Sequence, residues 1–208
     1  MVKRNISIYD FDDTIYNGNS IIDFWRFSIL KYPRILIWAP YQFVSAIQWK
    51  CNMITADKFK EAFLSFIKSV PSDLLEPFIM DFWGTHKKKV PPWVSKQIDS
   101  DRKKSLYPIC ISASPGFLLR SIVKEIGFET LICTEFIKRG TVQTNRLKVP
   151  NCKGKEKIRR LYEWAQKEDI EIVVKKVYSD SISDLPLYKI SREYYYVSNG
   201  IIKKGLPV

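Results

Sequence analysis

The chain has 208 residues and a formal net charge of +12, from 34 Lys and Arg against 22 Asp and Glu. This length predicts one domain, or one core domain that carries an insertion. The composition, with 46% hydrophobic and 27% charged residues, excludes a disordered chain. A single histidine, His86, excludes multi-histidine zinc sites, and its basic surroundings disfavour Ser-His-Asp catalysis. The four cysteines form no C-x-x-C pair and are typical of free thiols in a reducing cytosol.

The amino-terminal segment lacks the pattern of a signal peptide, because acidic residues begin at Asp10 after a short apolar stretch. The longest uncharged run, positions 35–49, has 15 residues and contains Pro40. A membrane-spanning helix needs about 20 apolar residues. We therefore expect a cytoplasmic protein without a transmembrane segment.

The first predicted element is a short strand over residues 4–9. By the two-residue period of a strand, Asp10 and Asp12 project together just past its end. Residues 19–103 then have apolar side chains at helical spacing, interrupted by prolines, and are predicted to be almost wholly helical.

After residue 104 predicted strands alternate with predicted helices. The strands are 106–111, 130–136, 140–144, 172–178, 194–197 and 201–203, and the helices are 115–126, 154–167 and 183–190. The dipeptide Asn199-Gly200 predicts a hairpin between the last two strands. The alternation indicates a Rossmann-like α/β core of three layers, α/β/α, around a parallel sheet. We expect residues 1–16 and 104–208 to form this core and 17–103 to form an inserted helical cap domain.

Polar side chains follow several of the predicted strands and begin one of the predicted helices. Sites in open α/β sheets lie beyond the carboxyl ends of the strands, so these side chains are expected to converge. They are Asp10, Asp12 and Thr14 after the first strand, Ser112 after the second, a lysine at the start of helix 154–167, and Asp180 and Asp184 after strand 172–178.

This set of residues has the chemistry of phosphoryl transfer. Neighbouring carboxylates repel one another unless a cation lies between them, and carboxylate oxygens suit Mg²⁺. A carboxylate beside the metal can attack phosphorus, and a second carboxyl can protonate the leaving group. A serine and a lysine can hold the phosphoryl oxygens. Each residue alone is a common loop or cap residue, and the order of the whole set is what points to function.

Four segments together resemble the motifs of the haloacid dehalogenase superfamily. They are Asp10-Phe11-Asp12-Asp13-Thr14, Ile111-Ser112-Ala113-Ser114-Pro115, Lys157, and Tyr178-Ser179-Asp180-Ser181-Ile182-Ser183-Asp184. The helical insertion directly after the first motif resembles the phosphoserine-phosphatase-like branch.

The resemblance implies a role for each motif residue. It implies Asp10 as the nucleophile and Asp12 as the general acid and base. It further implies a phosphate site formed by Ser112, Ala113, Lys157 and Thr14. Mg²⁺ would be bound by Asp10, the main-chain carbonyl of Asp12 and Asp180, with Asp184 in support.

Two positions depart from the usual motifs, and the lysine of the third motif is left as a choice. Asp13 stands at a position of the first motif where glycine is frequent, and we expect it to be an extra exposed carboxylate. Ser179 replaces a common glycine before the metal-binding aspartate. Lys153, Lys155 and Lys157 all lie near one helix start, and the spacing to the last motif favours Lys157, with Lys153 as the alternative.

The predicted cap domain carries the information about the substrate. Phosphoserine phosphatases have an acid a few residues after the first motif that receives the substrate ammonium, and Asn19 stands there, with Asp23 one turn later. Seven aromatic residues crowd into 25 positions: Trp25, Phe27, Tyr32, Trp38, Tyr41, Phe43 and Trp49. They predict either an aromatic core in the cap or a surface that contacts an anionic membrane at its cytoplasmic face.

A narrower resemblance extends to the bacterial type C phosphatidylglycerophosphate phosphatases. It is carried by Arg26-Phe27 with Lys31-Tyr32-Pro33, by Cys152 to Ile158, and by Tyr178 to Leu187. The expected function is thus a Mg²⁺-dependent phosphomonoesterase with an aspartyl-phosphate intermediate, acting on a small phosphorylated metabolite or a lipid head-group phosphate. The alternative is a non-catalytic module of the same fold that binds an anionic surface or nucleic acid through clusters such as Lys87–Lys89. The chain has no nucleic-acid-binding motif, and we expect no nucleic-acid partner.

Overall fold

The computed structural model of the protein describes residues 2–206, which form two compact units. Within these residues the α/β unit comprises positions 2–20, Lys87–Thr134 and 152–206, and the helical unit comprises Ile21–His86 and Glu135–Asn151. The strands are β1 (Val2–Tyr9), β2 (Tyr107–Pro115), β3 (Thr130–Thr134), β4 (Phe136–Arg139), β5 (Val142–Leu147), β6 (Ile170–Ser179), β7 (Glu193–Ser198) and β8 (Ile201–Lys204). The helices are α1 (Ser20–Lys31), α2 (Ala39–Lys50), α3 (Ala56–Phe63), α4 (Leu75–His86), α5 (Trp93–Lys103), α6 (Gly116–Ile126), α7 (Lys155–Lys167) and α8 (Leu185–Lys189).

The α/β unit is built on a six-stranded sheet in the order β3-β2-β1-β6-β7-β8. Neighbouring strands are parallel except for the antiparallel pair β7 and β8. Asn199 and Gly200 join that pair with φ values of 49° and 75°, as a tight hairpin turn with two left-handed residues requires. The predicted parallel sheet, its flanking helices and this hairpin are confirmed.

Strand register brings the carboxyl ends of the central strands to the same edge of the sheet. Tyr9 of β1 pairs with Cys110 of β2 on one side and with Tyr178 of β6 on the other. Toward these ends the strands are buried and largely apolar, as Ile8, Ile111 and Val177 are, which is expected of central parallel strands with both sheet faces covered. Residues that follow Tyr9 and Tyr178 therefore leave the sheet at neighbouring points.

Helix α5 belongs to the α/β unit, whereas the sequence assigned it to the predicted cap over 17–103. The reason is a buried carboxylate on this helix, Asp101, which is 0% exposed. It accepts hydrogen bonds from the Tyr9 hydroxyl at 2.5 Å and from Lys176 Nζ at 2.7 Å. A buried charge needs such partners, and both of them lie on sheet strands.

The hairpin of β4 and β5 belongs to the helical unit, whereas the sequence assigned residues 104–208 to the core. Glu61, at the end of α3, holds it there. Its Oε1 accepts the Leu147 N–H at 2.9 Å, and its main-chain oxygen accepts Asn145 Nδ2 at 2.6 Å. These bonds join positions more than 80 residues apart, so local sequence patterns do not reveal them.

The helical unit has an aromatic core around Phe24. The ring of Phe24 lies 5.3–5.8 Å from those of Phe66, Phe78 and Phe82. Its four α-helices have at most 12 residues each, or roughly 18 Å of helix at 1.5 Å per residue. Between residues 2 and 206 no helix combines the length and apolar character that crossing a bilayer requires.

Candidate active site

Asp10 is the first residue after β1, and its carboxylate is held on one side. Its N–H donates to the Tyr178 carbonyl at 2.9 Å, which continues the pairing of β1 with β6 for one residue. Its Oδ1 accepts the N–H of Phe11 at 2.8 Å and lies 2.9 Å from Lys157 Nζ. Both of these contacts use Oδ1.

Lys157 lies in the first turn of α7 with a side chain only 3% exposed. Its Nζ is 2.7 Å from Asp184 Oδ2 in addition to the contact with Asp10. Burial alone would lower the pKa of Lys157, but the two carboxylates outweigh burial and raise it, so the ammonium stays charged. The other candidate lysines, Lys153 and Lys155, have exposed side chains.

The carboxylates at this edge of the sheet carry more negative charge than Lys157 neutralises. Burial raises the pKa of Asp10 to about 7, with Lys157 opposing the rise and Asp184 and Asp180 adding to it. Burial also raises the pKa of Asp180, and the neighbouring Asp13 adds to that rise. Such a group of carboxylates favours a bound cation.

Asp180 follows β6 and is held by Thr14. The Thr14 hydroxyl oxygen accepts the Asp180 N–H at 3.0 Å and donates to Asp180 Oδ1 at 3.3 Å. Thr14 itself is completely buried. The structure thus brings two of the predicted residues together. The resemblance implied that Thr14 binds phosphate, and the structure shows its hydroxyl bonded to Asp180.

Asp12 is held by two serines that the sequence did not single out. Its Oδ1 accepts the Ser20 N–H at 2.6 Å, and its Oδ2 accepts the Ser114 hydroxyl at 2.5 Å. The Ser20 hydroxyl donates in turn to the Ser114 hydroxyl at 3.0 Å. Short hydroxyl side chains are common in loops, so only the three-dimensional structure distinguishes these two from the others.

The predicted phosphate-binding residues Ser112 and Ala113 lie near the end of β2. The Ser112 hydroxyl is 1% exposed and accepts the Ser114 N–H at 3.0 Å. The Ala113 carbonyl accepts the Thr134 hydroxyl at 2.6 Å, and that hydroxyl oxygen accepts the Cys152 N–H at 3.0 Å. Thr134 therefore links the ends of β2 and β3 to the segment that leads into α7, a role that no local sequence pattern predicts.

Asp184 completes the group with one oxygen that lacks a partner. Its Oδ2 accepts the Ser179 hydroxyl at 2.7 Å as well as Lys157 Nζ. Ser179 therefore supports Asp184 at a position where the resembled family often has glycine. Among the described residues, the buried Oδ1 of Asp184 has no hydrogen-bond partner. A buried oxygen of this kind calls for a partner that the protein itself does not supply.

The oxygen ligands around Asp10 fit Mg²⁺. Within residues 2–206 no group of three or more His, Cys, Asp and Glu side chains has the arrangement of a metal site. The predicted ligand set needs only two carboxylates, those of Asp10 and Asp180, with the main-chain carbonyl of Asp12. Hard oxygen ligands with no nitrogen or sulfur among them suit this ion. The unpartnered Oδ1 of Asp184 and the excess of negative charge agree with a cation at this place.

Several solved structures share this fold. A protein of unknown function from Bordetella pertussis Tohama I matches with a TM-score of 0.79 and 17% identity over 90% of this chain and 87% of its own. A phosphoserine phosphatase with a phospho-aspartyl intermediate analogue matches with a TM-score of 0.62 and 15% identity over 92% and 85%. A phosphoserine phosphohydrolase-like protein from Francisella tularensis subsp. tularensis SCHU S4 matches with a TM-score of 0.59 and 15% identity over 91% and 85%. At sequence identities of 15–17%, this structural similarity shows that the fold is shared.

Sequence comparison assigns the family. No curated protein matches the chain. The model of the haloacid dehalogenase-like hydrolases matches residues 8–189, a stretch that contains all of the motif residues above. The resemblance that the motifs indicated is confirmed, and the chain belongs to the haloacid dehalogenase-like hydrolase family.

Proposed function

We propose that the protein is a Mg²⁺-dependent phosphomonoesterase that works through an aspartyl-phosphate on Asp10. The observation that carries the proposal is the position of Lys157, buried between Asp10 and Asp184 at 2.9 and 2.7 Å. It fixes one oxygen of Asp10 and leaves the other for attack, and it places a permanent positive charge beside the reacting group.

Mg²⁺ is assigned to the carboxylates of Asp10 and Asp180 and the main-chain carbonyl of Asp12. When bound, the ion polarises a phosphoryl oxygen and offsets the charge of the carboxylates. Thr14 holds Asp180 for this purpose through the two hydrogen bonds that its hydroxyl makes. Asp184 and Ser179 orient Lys157 from the opposite side.

In the first half-reaction, Asp10 Oδ2 forms a bond to phosphorus while the ester P–O bond breaks. Asp12 gives its proton to the departing oxygen. Lys157 and the Ser112 hydroxyl donate to the phosphoryl oxygens, and so does the N–H of Ala113. The products are the free alcohol and phosphorylated Asp10.

In the second half-reaction, water attacks the phosphorus and the bond to Asp10 breaks. Asp12 takes a proton from the water, which restores both residues and releases inorganic phosphate. Asp12 must hold a proton in one half-reaction and lack it in the other. The Ser114 hydroxyl, bonded to Asp12 Oδ2, suits both states because it can donate or accept.

The site favours a phosphate ester with a polar leaving group. A cavity of about 460 Å³ borders Asp180, and polar residues dominate its lining, among them Asp13, Asn17, Ser198 and Asn199. This volume suits a small metabolite or the head group of a phospholipid. The structural similarity to phosphoserine phosphatases supports the first of these classes.

Phosphate release from a substrate panel tests the proposal. The panel holds p-nitrophenyl phosphate, phosphoserine, sugar phosphates, nucleotides and phosphatidylglycerophosphate in mixed micelles, each with and without Mg²⁺. Asp10→Asn should lower the rate by at least about a thousandfold. Asp99→Asn, an exposed aspartate on α5, is the matched control and should keep the wild-type rate.

The panel also separates the proposal from its alternative. Release by the wild-type protein that Asp10→Asn abolishes supports the enzyme. Equal rates for the wild type and Asp10→Asn would overturn the assigned nucleophile. No release from any member would favour the non-catalytic module of the same fold.

A further inference from the structure

Helix α2 turns two polar side chains inward and several apolar side chains outward. Gln42 and Ser45 are 6% and 2% exposed, and Gln42 Nε2 donates to the Phe63 carbonyl at 2.7 Å. Phe43, Val44 and Ile47 are 68%, 50% and 48% exposed. A surface helix of a globular protein normally has the opposite arrangement.

The apolar surface continues into the short 3-10 helix Pro33–Trp38 that precedes α2. Six exposed side chains form what we call the apolar face: Leu36, Ile37, Tyr41, Phe43, Val44 and Ile47. Within α2, Phe43, Val44 and Ile47 recur at the spacing of one helix side. Single exposed apolar residues are common, whereas a row of them marks an interaction surface.

The two tryptophans next to the apolar face, Trp38 and Trp49, make contacts within the helical unit, although Trp49 stays 42% exposed. Trp38 Nε1 donates to Ser69 Oγ at 2.9 Å, and the Trp49 ring stacks on Phe59 at 4.8 Å. The aromatic residues of the predicted cap thus divide into two groups. Some pack within the helical unit, and others, Tyr41 and Phe43 among them, are exposed.

The charge around the apolar face selects the partner. Positions 24–56 contain four basic residues, Arg26, Lys31, Arg34 and Lys50, and no acidic residue. Lys31 is paired with Asp81 of α4 at 3.0 Å, and Arg26 lies 3.8 Å from Asp23. In the sequence, Arg34 and Lys50 flank the residues of the face on either side. A second copy of this chain would bring like charges together, whereas an anionic surface would attract them.

We propose that the apolar face docks into the interface of an anionic lipid bilayer, with α2 parallel to the membrane plane. Phe43, Val44 and Ile47 enter the boundary between head groups and acyl chains, where apolar area leaves water. Tyr41 suits that boundary because its ring is apolar and its hydroxyl is polar. Arg34 and Lys50 contact the lipid phosphates. This proposal is independent of the reaction at Asp10.

Vesicle flotation with the full chain tests the docking. The probes are vesicles of phosphatidylcholine alone and of phosphatidylcholine with 30 mol% phosphatidylglycerol, a composition of the order that gives a negative surface potential. We expect binding to the second only. Phe43→Ser/Ile47→Ser should reduce it at least about tenfold, and Tyr162→Ser/Ile201→Ser, an equally exposed apolar pair elsewhere, should not.

Charge variants and the oligomeric state complete the test. Arg34→Gln/Lys50→Gln should weaken binding by at least about tenfold, since each lysine or arginine near an anionic membrane contributes roughly a fivefold factor. Lys88→Gln/Lys103→Gln removes the same charge from exposed positions outside the face and should have little effect. Equal vesicle binding by Phe43→Ser/Ile47→Ser and the wild type would overturn the proposal. Absence of vesicle binding by the wild type would overturn it too. That holds both for a monomer and for a dimer that Phe43→Ser/Ile47→Ser dissociates.

Discussion

The Lys157 ammonium and the Asp184 carboxylate form a buried ion pair, with 2.7 Å between Nζ and Oδ2 and side chains no more than 3% exposed. The same Nζ lies 2.9 Å from Asp10 Oδ1. One lysine therefore joins the residue proposed as nucleophile to the last motif of the chain. Breaking a buried pair by removing one partner leaves an uncompensated charge, and this makes the group sensitive to single substitutions.

Replacement of Lys157 should destabilise the protein more than replacement of Asp184. Lys157→Met leaves Asp10 and Asp184 without their cation and should lower the free energy of unfolding by about 3–5 kcal/mol. Asp184→Asn should cost less, because Lys157 keeps Asp10 as a partner. Urea unfolding of the two variants without Mg²⁺ measures the difference. Equal losses would show that the contact between Lys157 and Asp10 contributes nothing.

Thr14 should control the affinity for Mg²⁺ through Asp180. Thr14→Val keeps the volume and removes both hydrogen bonds to Asp180, so we expect about tenfold weaker Mg²⁺ binding, or ~1.4 kcal/mol, comparable to one hydrogen bond to a charged group. Thr14→Ser retains the hydroxyl and should bind Mg²⁺ with nearly wild-type affinity. Isothermal titration with Mg²⁺ compares the three proteins. An unchanged affinity for Thr14→Val would remove Thr14 from the support of the metal site.

Ser114 should affect the chemical step and not the binding of substrate. Ser114→Ala removes the hydroxyl that bonds Asp12 Oδ2, and we expect kcat to fall about tenfold, a part of what general acid–base catalysis contributes. KM should stay near the wild-type value, because Ser114 is not assigned to the substrate. Steady-state kinetics on the best substrate of the panel give both constants. A rise in KM at constant kcat would instead place Ser114 in substrate binding.

Glu61 should make the helical unit sensitive to acid. Burial alone would raise the pKa of Glu61. The hydrogen bonds from the Leu147 N–H, Lys58 and Arg146 together outweigh burial, so the pKa is lowered. A carboxyl whose pKa falls on folding stabilises the fold fully above its unfolded pKa, about 4.3. That stabilisation is lost as the pH falls through the folded pKa.

The variant Glu61→Gln isolates this contribution. At pH 7 the variant should be less stable than the wild type by about 1.5–3 kcal/mol, the range for a hydrogen bond to a charged group. The difference should shrink as the pH is lowered from 5 toward 3, a window that spans the unfolded pKa of about 4.3. Thermal unfolding of the two proteins across this window measures it. A difference that grows at low pH would contradict the assigned direction of the pKa shift.

The sequence predicts the α/β core because its signals are local. The apolar stretch before Asp10 predicts β1, and Asn199-Gly200 predicts the last hairpin. The motif residues are also identifiable from the sequence, since parallel strands bring their carboxyl ends to one edge. The extent of β2 was underestimated, because the strand continues through Ser112 to Pro115 beyond its apolar segment.

The remaining features depend on tertiary contacts that no local pattern encodes. Helix α5 belongs with the sheet because Asp101 bonds Tyr9 and Lys176, and the hairpin of β4 and β5 belongs with the helices because Glu61 bonds Leu147. The count of aromatic residues in the insertion could not say which of them are buried. That distinction depends on the orientation of α2, whose buried side chains, Gln42 and Ser45, are polar.

Detection of the phosphorylated enzyme tests the central claim most directly. The wild-type protein is mixed with Mg²⁺ and the best substrate of the panel, quenched in acid during turnover and analysed by peptide mass spectrometry. The account predicts one phosphoryl group on the peptide that contains Asp10, and none in Asp10→Asn. Steady phosphate release without a phosphoryl group on that peptide, or with one on another residue, would contradict it.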